Sequence, residues 1–191
     1  MTVNRPLRTK AGSLSLVAIV VTTVLLALAS SASSSTSELA DPDDTPGPLD
    51  ISSISHSHSE RRLVHTITTH EGWDPLLLAR PNAFFSLSFY FDGDLQRYVH
   101  VASSPDGTMY GEVRHWDGET VLGYAKVWKP DVATLRIEFP KRTLGREVIK
   151  YAWDGLSVYG AAEHEECDGA TAFCIDEVPA RGSRRLVHRL N

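Results

Sequence analysis

The sequence predicts an all-β protein: an antiparallel β-sandwich of jelly-roll type with short helical turns, preceded by an N-terminal hydrophobic signal or anchor helix. Three observations carry this. Beyond the leader no stretch repeats its apolar residues with the 3–4-residue spacing of an amphipathic helix. From Leu49 onward the chain breaks into short runs rich in Val, Ile, Thr, Phe and Tyr, the residues that suit a pleated, half-buried surface. Five Asp-Gly pairs, beginning at Asp92, Asp106, Asp117, Asp154 and Asp168, punctuate those runs. Asp-Gly between strand-like segments signals a hairpin, because glycine takes positive φ without a steric cost.

The leader comes first. Arg5, Arg8 and Lys10 precede the apolar run Leu14–Ala29, and small residues at Ala27, Ala29, Ser30 and Ala32 follow at cleavage-like spacing. Residues 1–32 therefore read as a secretory signal peptide, with an uncleaved N-terminal membrane anchor as the alternative. Residues 33–48, Ser-rich and then acidic with prolines, read as a linker that cannot bury much apolar surface. Residues 49–191 are the β domain.

Strands are expected at Asp50–Ser57, Leu63–His70, Phe84–Phe91, Arg97–Ser103, Thr108–His115, Thr120–Trp128, Thr134–Phe139, Ile149–Trp153 and near Leu186–Leu190, with single helical turns at Pro75–Ala79 and Pro140–Leu144. The segment RRLVH occurs twice, at Arg61–His65 and Arg184–His188. Nothing around the copies repeats, so both are read as strand starts rather than as an internal repeat. The hairpin around Asp117-Gly118 is read with a three-residue loop, pairing Val113 with Val121 and Tyr110 with Tyr124. That register segregates polarity: Met109, Gly111, Val113, Val121, Gly123, Ala125 and Val127 share one face, and Tyr110, Glu112, Arg114, Leu122, Tyr124, Lys126 and Trp128 the other.

Composition limits function. The 191 residues are 42% hydrophobic and 23% charged, with formal charge −5. Without the leader, sixteen basic residues face twenty-four acidic ones, a balance of −8. Nucleic acid is therefore not an expected partner, since phosphate contacts need clustered Lys and Arg. A membrane role is expected only through the N-terminal segment. In an oxidising compartment Cys167 and Cys174 are expected to form a disulfide, worth about 2–3 kcal/mol for so short a loop.

Two kinds of site suggest themselves. The polar hairpin face, with Tyr98 on the preceding strand, offers Tyr98, Tyr110, Glu112, Arg114, Tyr124, Lys126 and Trp128: flat rings beside hydrogen-bonding charges, suited to a sugar or to a protein partner. The plainer reading is a solvated sheet face. For metals, Asp92 and Asp94 flank a turn, and Asp41, Asp43, Asp44 and Asp50 lie near the domain start; calcium, which takes several carboxylate oxygens, is the cofactor they suggest. His56 and His58 share a strand face, with His65 and His70 on the next strand, a spacing that could chelate zinc or copper; the bland reading makes His65 a hydrogen-bonded core histidine. No GxSxG, Walker A, GxGxxG or HExxH motif is present, so no catalytic residue is assigned.

The segments DPDDTPGPLDI (Asp41–Ile51), FSLSFYFDGD (Phe85–Asp94) and YVHVASSPDGTMYGEV (Tyr98–Val113) resemble the opening of DOMON-like and family-nine carbohydrate-binding β-sandwich domains, over about Asp41–Phe139. The resemblance implies an exported sandwich that binds sugar, haem or another small ligand, sometimes with structural calcium, and it carries over Asp92 and Asp94 alone. No Met/His axial pair accompanies it. The expectation is an exported, non-catalytic binding module at the cell envelope, for carbohydrate or another small ligand. The alternatives are an envelope protein-interaction domain, or a small exported hydrolase or metal-dependent enzyme.

Overall fold

The computed structural model describes residues 37–160 and 173–190, and all that follows concerns those residues. The leader, the Asp168-Gly169 pair and Cys167 lie outside them. Eleven strands are described: β1 (Ser37–Ala40), β2 (Ile51–His58), β3 (Arg62–Thr69), β4 (Phe84–Phe91), β5 (Asp94–Ser103), β6 (Met109–His115), β7 (Val121–Trp128), β8 (Thr134–Pro140), β9 (Lys150–Gly160), β10 (Phe173–Val178) and β11 (Leu186–Arg189). Short 3-10 turns occupy Pro75–Ala79 and Lys141–Thr143, where single helical turns were expected. Among the described residues no helix is long and apolar enough to cross a membrane.

All the pairings are antiparallel, so the all-β expectation holds. The two-sheet sandwich is replaced by one continuous sheet, a nearly closed barrel, in the order β1-β2-β3-β8-β7-β6-β5-β4-β9-β10, with β11 also on β9. Strand β7 makes the sheet continuous: Val121–Ala125 pair with β6, and Lys126–Trp128 pair with β8. A strand that changes neighbours partway along curls the sheet around a corner. At the open seam β10 approaches β2, and the Ile51 N–H donates to the Asp176 carboxylate at 2.6 Å.

Period-two alternation builds the interior. Ile54 and His56 on β2, Leu63, His65 and Ile67 on β3, Phe85, Leu87 and Phe89 on β4, Leu135, Ile137 and Phe139 on β8, and Tyr151 and Trp153 on β9 are all buried. Trp73 and Leu78, beside and within the first 3-10 turn, plug the end near Phe85, where the Trp73 and Phe85 rings lie 5.3 Å apart. The registers of β2 with β3 and of β4 with β9 put His56, His65, Phe89, Tyr151 and Trp153 toward the opposite end.

Three sequence expectations need correction. Ser37–Ala40, inside the expected linker, is an edge strand paired with β2. Asp154-Gly155 is not a turn: β9 runs straight through it, with Asp154 opposite Ser88 and Gly155 opposite Leu87. A Cβ on Gly155 would lie 2.0 Å from Ile54 Cδ1, so glycine serves close approach across the core there. The β6–β7 hairpin also has a different register. His115 N–H bonds to Thr120 O, leaving residues 116–119 as the loop, and a bulge at Leu122 places Val113 opposite Gly123 and Glu112 opposite Tyr124. The Asp117 carboxylate accepts the Glu119 and Thr120 N–H groups at 3.0 and 3.1 Å, and this holds the wider turn. The offset from the expected register at Val113 is two residues, so the faces survive while the partners change. Val121 alone turns out to solvent.

Candidate metal centre

Four histidines meet at the barrel end away from Trp73. His56 and His65 are direct cross-strand partners on β2 and β3, and His188 stands opposite Tyr151 on the β11–β9 pairing. Leu63 and His65, two residues apart, face the core because β3 alternates; His188 does the same on β11. Both copies of RRLVH thus deliver their histidine to one place. His56 and His65 are fully buried, His188 is buried, and His58 is half-buried at the end of β2.

The contacts are short. His56 Nδ1 lies 2.9 Å from His65 Nε2, and His188 Nε2 lies 2.8 Å from His58 Nδ1. The His56 and His188 ring centroids are 3.9 Å apart. The Tyr151 hydroxyl sits 3.1 Å from His56 Nε2. One ring nitrogen each of His56, His58 and His188 falls within 4.8 Å of the other two. Phe89, Phe139 and Trp153 wall the group, each with its ring centroid within 6.2 Å of the His56 or His65 ring. His65 Nδ1 is buried with no hydrogen-bond partner among the described residues.

Burial keeps these imidazoles neutral. It is the main cause in every case, and the neighbouring rings and the Lys141 ammonium add to it for His56 and His188. His65 is pushed down to about 3 and His188 to about 4, while His56 and His58 are also lowered. Burial likewise raises the Tyr151 phenol, which stays protonated. Neutral imidazole is the form that binds a metal, so the donor set suits zinc or copper.

The expected histidine set is therefore partly assembled. His56, His58 and His65 come together, but His70 does not: it follows the last residue of β3, at the strand's other end, with its N–H on Asp50 O at 2.9 Å. His188 was missed, and its signal in the sequence was the second RRLVH.

The expected ring-and-charge face also exists, on the outside of the sheet. Tyr98 stands opposite Arg114, and Glu112 stands between His100 and Tyr124 on the flanking strands. Arg114 donates to Glu112 and, at 2.7 Å, to Gly118 O. Lys126 lies 4.8 Å over the Trp128 ring, and Arg136 approaches the same ring at 5.3 Å. Tyr124 stands opposite Glu112 rather than the expected Tyr110, whose partner on β5 is Ala102. Asp92 and Asp94 are exposed at the β4–β5 hairpin, where Asp92 (φ 53°) and Gly93 (φ 98°) form the tight turn. Neither joins a carboxylate cluster among the described residues. Cys174 is buried on β10, while its expected partner Cys167 lies outside the described residues.

Beside the histidine end, a cleft of about 740 Å³ is lined by Arg61, Lys141, Arg142, Arg146 and the apolar Val148 and Leu190. Compared with known protein families, curated proteins and solved structures, the chain matches none.

Proposed function

We propose that this chain is an extracytoplasmic, non-catalytic binding module whose ligand is a transition-metal ion held by His56, His58 and His188. The observation that carries the reading is the convergence of three neutral ring nitrogens, from strands 130 residues apart in sequence, within 4.8 Å. Zinc and copper favour imidazole nitrogen, and three protein ligands leave a position open for a small exogenous ligand. His65, on Nδ1 of His56, would orient that ring as an outer partner does at a metal-binding histidine, and the Tyr151 hydroxyl would yield its 3.1 Å contact with Nε2 to the ion. The bound ion supplies a Lewis-acidic, ligand-exchanging centre.

The test is titration calorimetry of metal-free protein with Zn²⁺ and, separately, Cu²⁺. One ion per chain, with binding lost in both His58→Ala and His188→Ala, supports the reading. No binding in the wild type, or full binding in both variants, overturns it and leaves a hydrogen-bonded polar core.

A second reading keeps carbohydrate or an envelope protein as the ligand of the β6–β7 outer face. The exposure of Tyr124 (71%) and Trp116 (59%) on that hairpin favours it, because large bare rings are the anchors such ligands use. Polysaccharide pull-down tests it: retention that drops in Tyr124→Ala is the supporting result.

A further inference from the structure

A second cluster, of different chemistry, lies at the other end of β2. Asp50 immediately precedes that strand, six residues before His56, a separation of about 20 Å along an extended chain. Four carboxylates from three parts of the chain meet there: Asp41 and Asp44 from the lead-in, Asp50, and Asp176 from β10. One oxygen of each lies within 4.8 Å of the others.

Asp50 is the telling member. It is only 2% exposed, and neither of its carboxylate oxygens has a hydrogen-bond partner, although Asp43 and the Thr45 backbone face it. A buried anion left without donors is costly, and native structures normally give such a group a partner or an ion. Asp176, 4% exposed, has one donor, the Ile51 N–H. The groups facing Asp50 and Asp176 are Asp41, Asp43, Asp44 and His70, so His70 is the one group among them able to carry positive charge. The hollow in front of Asp50, about 300 Å³, is lined by Asp43, Asp44, Thr45, Gly47, His70 and Glu71 among others.

We propose that Asp41, Asp44, Asp50 and Asp176 bind one calcium ion, and that this ion fastens the open seam of the barrel between β2 and β10. The all-oxygen, multiply anionic donor set matches a hard cation that takes six to eight oxygens; it does not match the nitrogen-preferring ion of the histidine centre. The location gives the ion its structural task. Along the seam β2 and β10 have no ladder pairing, and the Ile51–Asp176 hydrogen bond joins them at the point where the carboxylates gather. Burial, and then the neighbouring carboxylates, push Asp50 up to about 6 and Asp176 up to about 7.

The experiment follows thermal unfolding and calorimetric titration of the full chain with Ca²⁺, against EGTA and against Mg²⁺. The wild type binds one Ca²⁺ and unfolds at higher temperature with it than in EGTA. Asp50→Asn and Asp176→Asn weaken Ca²⁺ binding about tenfold or more, because the number of charged ligands sets calcium affinity. In EGTA, Asp50→Asn unfolds at a temperature equal to or above that of the wild type, because it removes an unpaired buried charge; a variant that merely misfolds moves the other way. An unfolding temperature insensitive to millimolar Ca²⁺, or a full Ca²⁺ response in both Asn variants, overturns the proposal. Zn²⁺ binding by Asp50→Asn reports on the histidine centre separately, so failure of one site is distinguishable from failure of the other.

Discussion

His188 Nε2 stands 2.8 Å from His58 Nδ1, although 130 residues separate the two in the chain. Two neutral imidazoles at that distance share one N–H···N hydrogen bond; a divalent cation bound by both would require that proton to move to the other nitrogen of its ring and the two rings to part slightly. Binding to the folded form alone then stabilises the protein by mass action. Zn²⁺ at one hundred times its dissociation constant adds about 2.7 kcal/mol to the unfolding free energy. Denaturant unfolding with and without Zn²⁺ measures this, and His188→Ala abolishes the increment.

Ile54 packs over the bare Cα of Gly155 across the interior, so that an added Cβ on Gly155 would meet Ile54 Cδ1 at 2.0 Å. Gly155→Ala overpacks the core and costs about 1–3 kcal/mol. Ile54→Val deletes the obstructing Cδ1, so the double variant recovers part of that loss. A double-mutant cycle by urea unfolding gives the coupling, and strictly additive effects contradict the contact.

Lys129 carries a pH dependence. Its ammonium donates to Trp73 O at 2.9 Å and to Val132 O at 2.6 Å, and lies 3.4 Å over the Trp73 ring. Burial nevertheless lowers it from the ordinary lysine value to about 8, against the pull of Asp131 and Asp74. Between about pH 8 and 10.5 the unfolded chain therefore holds a proton that the folded chain has released, and stability rises with pH across that window. Below about pH 8 the cost of the buried charge is fully present. Measured against Lys129→Met, which has no such proton, the wild type gains relative stability from pH 8 to 10. A flat difference contradicts the assignment.

Asp92 works as a turn residue. Its φ of 53°, followed by Gly93 at 98°, is the positive-φ pair that a two-residue hairpin requires. Asn tolerates the same conformation, so Asp92→Asn changes stability by under about 0.5 kcal/mol, while Gly93→Ala costs about 1 kcal/mol. Calcium affinity is the same in Asp92→Asn and in the wild type, since the carboxylates that gather lie elsewhere. A Ca²⁺ titration of Asp92→Asn checks this directly.

Much of the fold was legible because strand signals are local. Alternation marked β2 to β8, and the Asp-Gly pairs at Asp92, Asp106 and Asp117 marked real turns. Asp154-Gly155 misled, because the same dipeptide serves close packing inside β9, and only the opposing Ile54 reveals that use. Strands β1 and β10 escaped notice: SELA is short, and the charges of FCIDEV hide its alternation. At the candidate site His56, His58 and His65 were visible as neighbours on adjacent strands. His188 and Asp176 were not, since each reaches its cluster through pairing with β9.

By itself the sequence determined the two-residue alternation of each regular strand, since side-chain direction alternates residue by residue and needs no knowledge of the partner, whereas the bulge that turns Val121 outward lay beyond it. For β3 that alternation set His65 on the same side as Leu63 and Ile67, while the burial of His56 beside Ile54 became visible only in the folded sheet. Which strands meet was decided only in three dimensions. The curl at β7, the return of β9 to β4 and the docking of β10 and β11 on β9 bring His188 to His58 and Asp176 to Asp50. Such contacts are won by burying the shared interior after long loops have closed, a free energy that belongs to the assembled sheet and to no single segment.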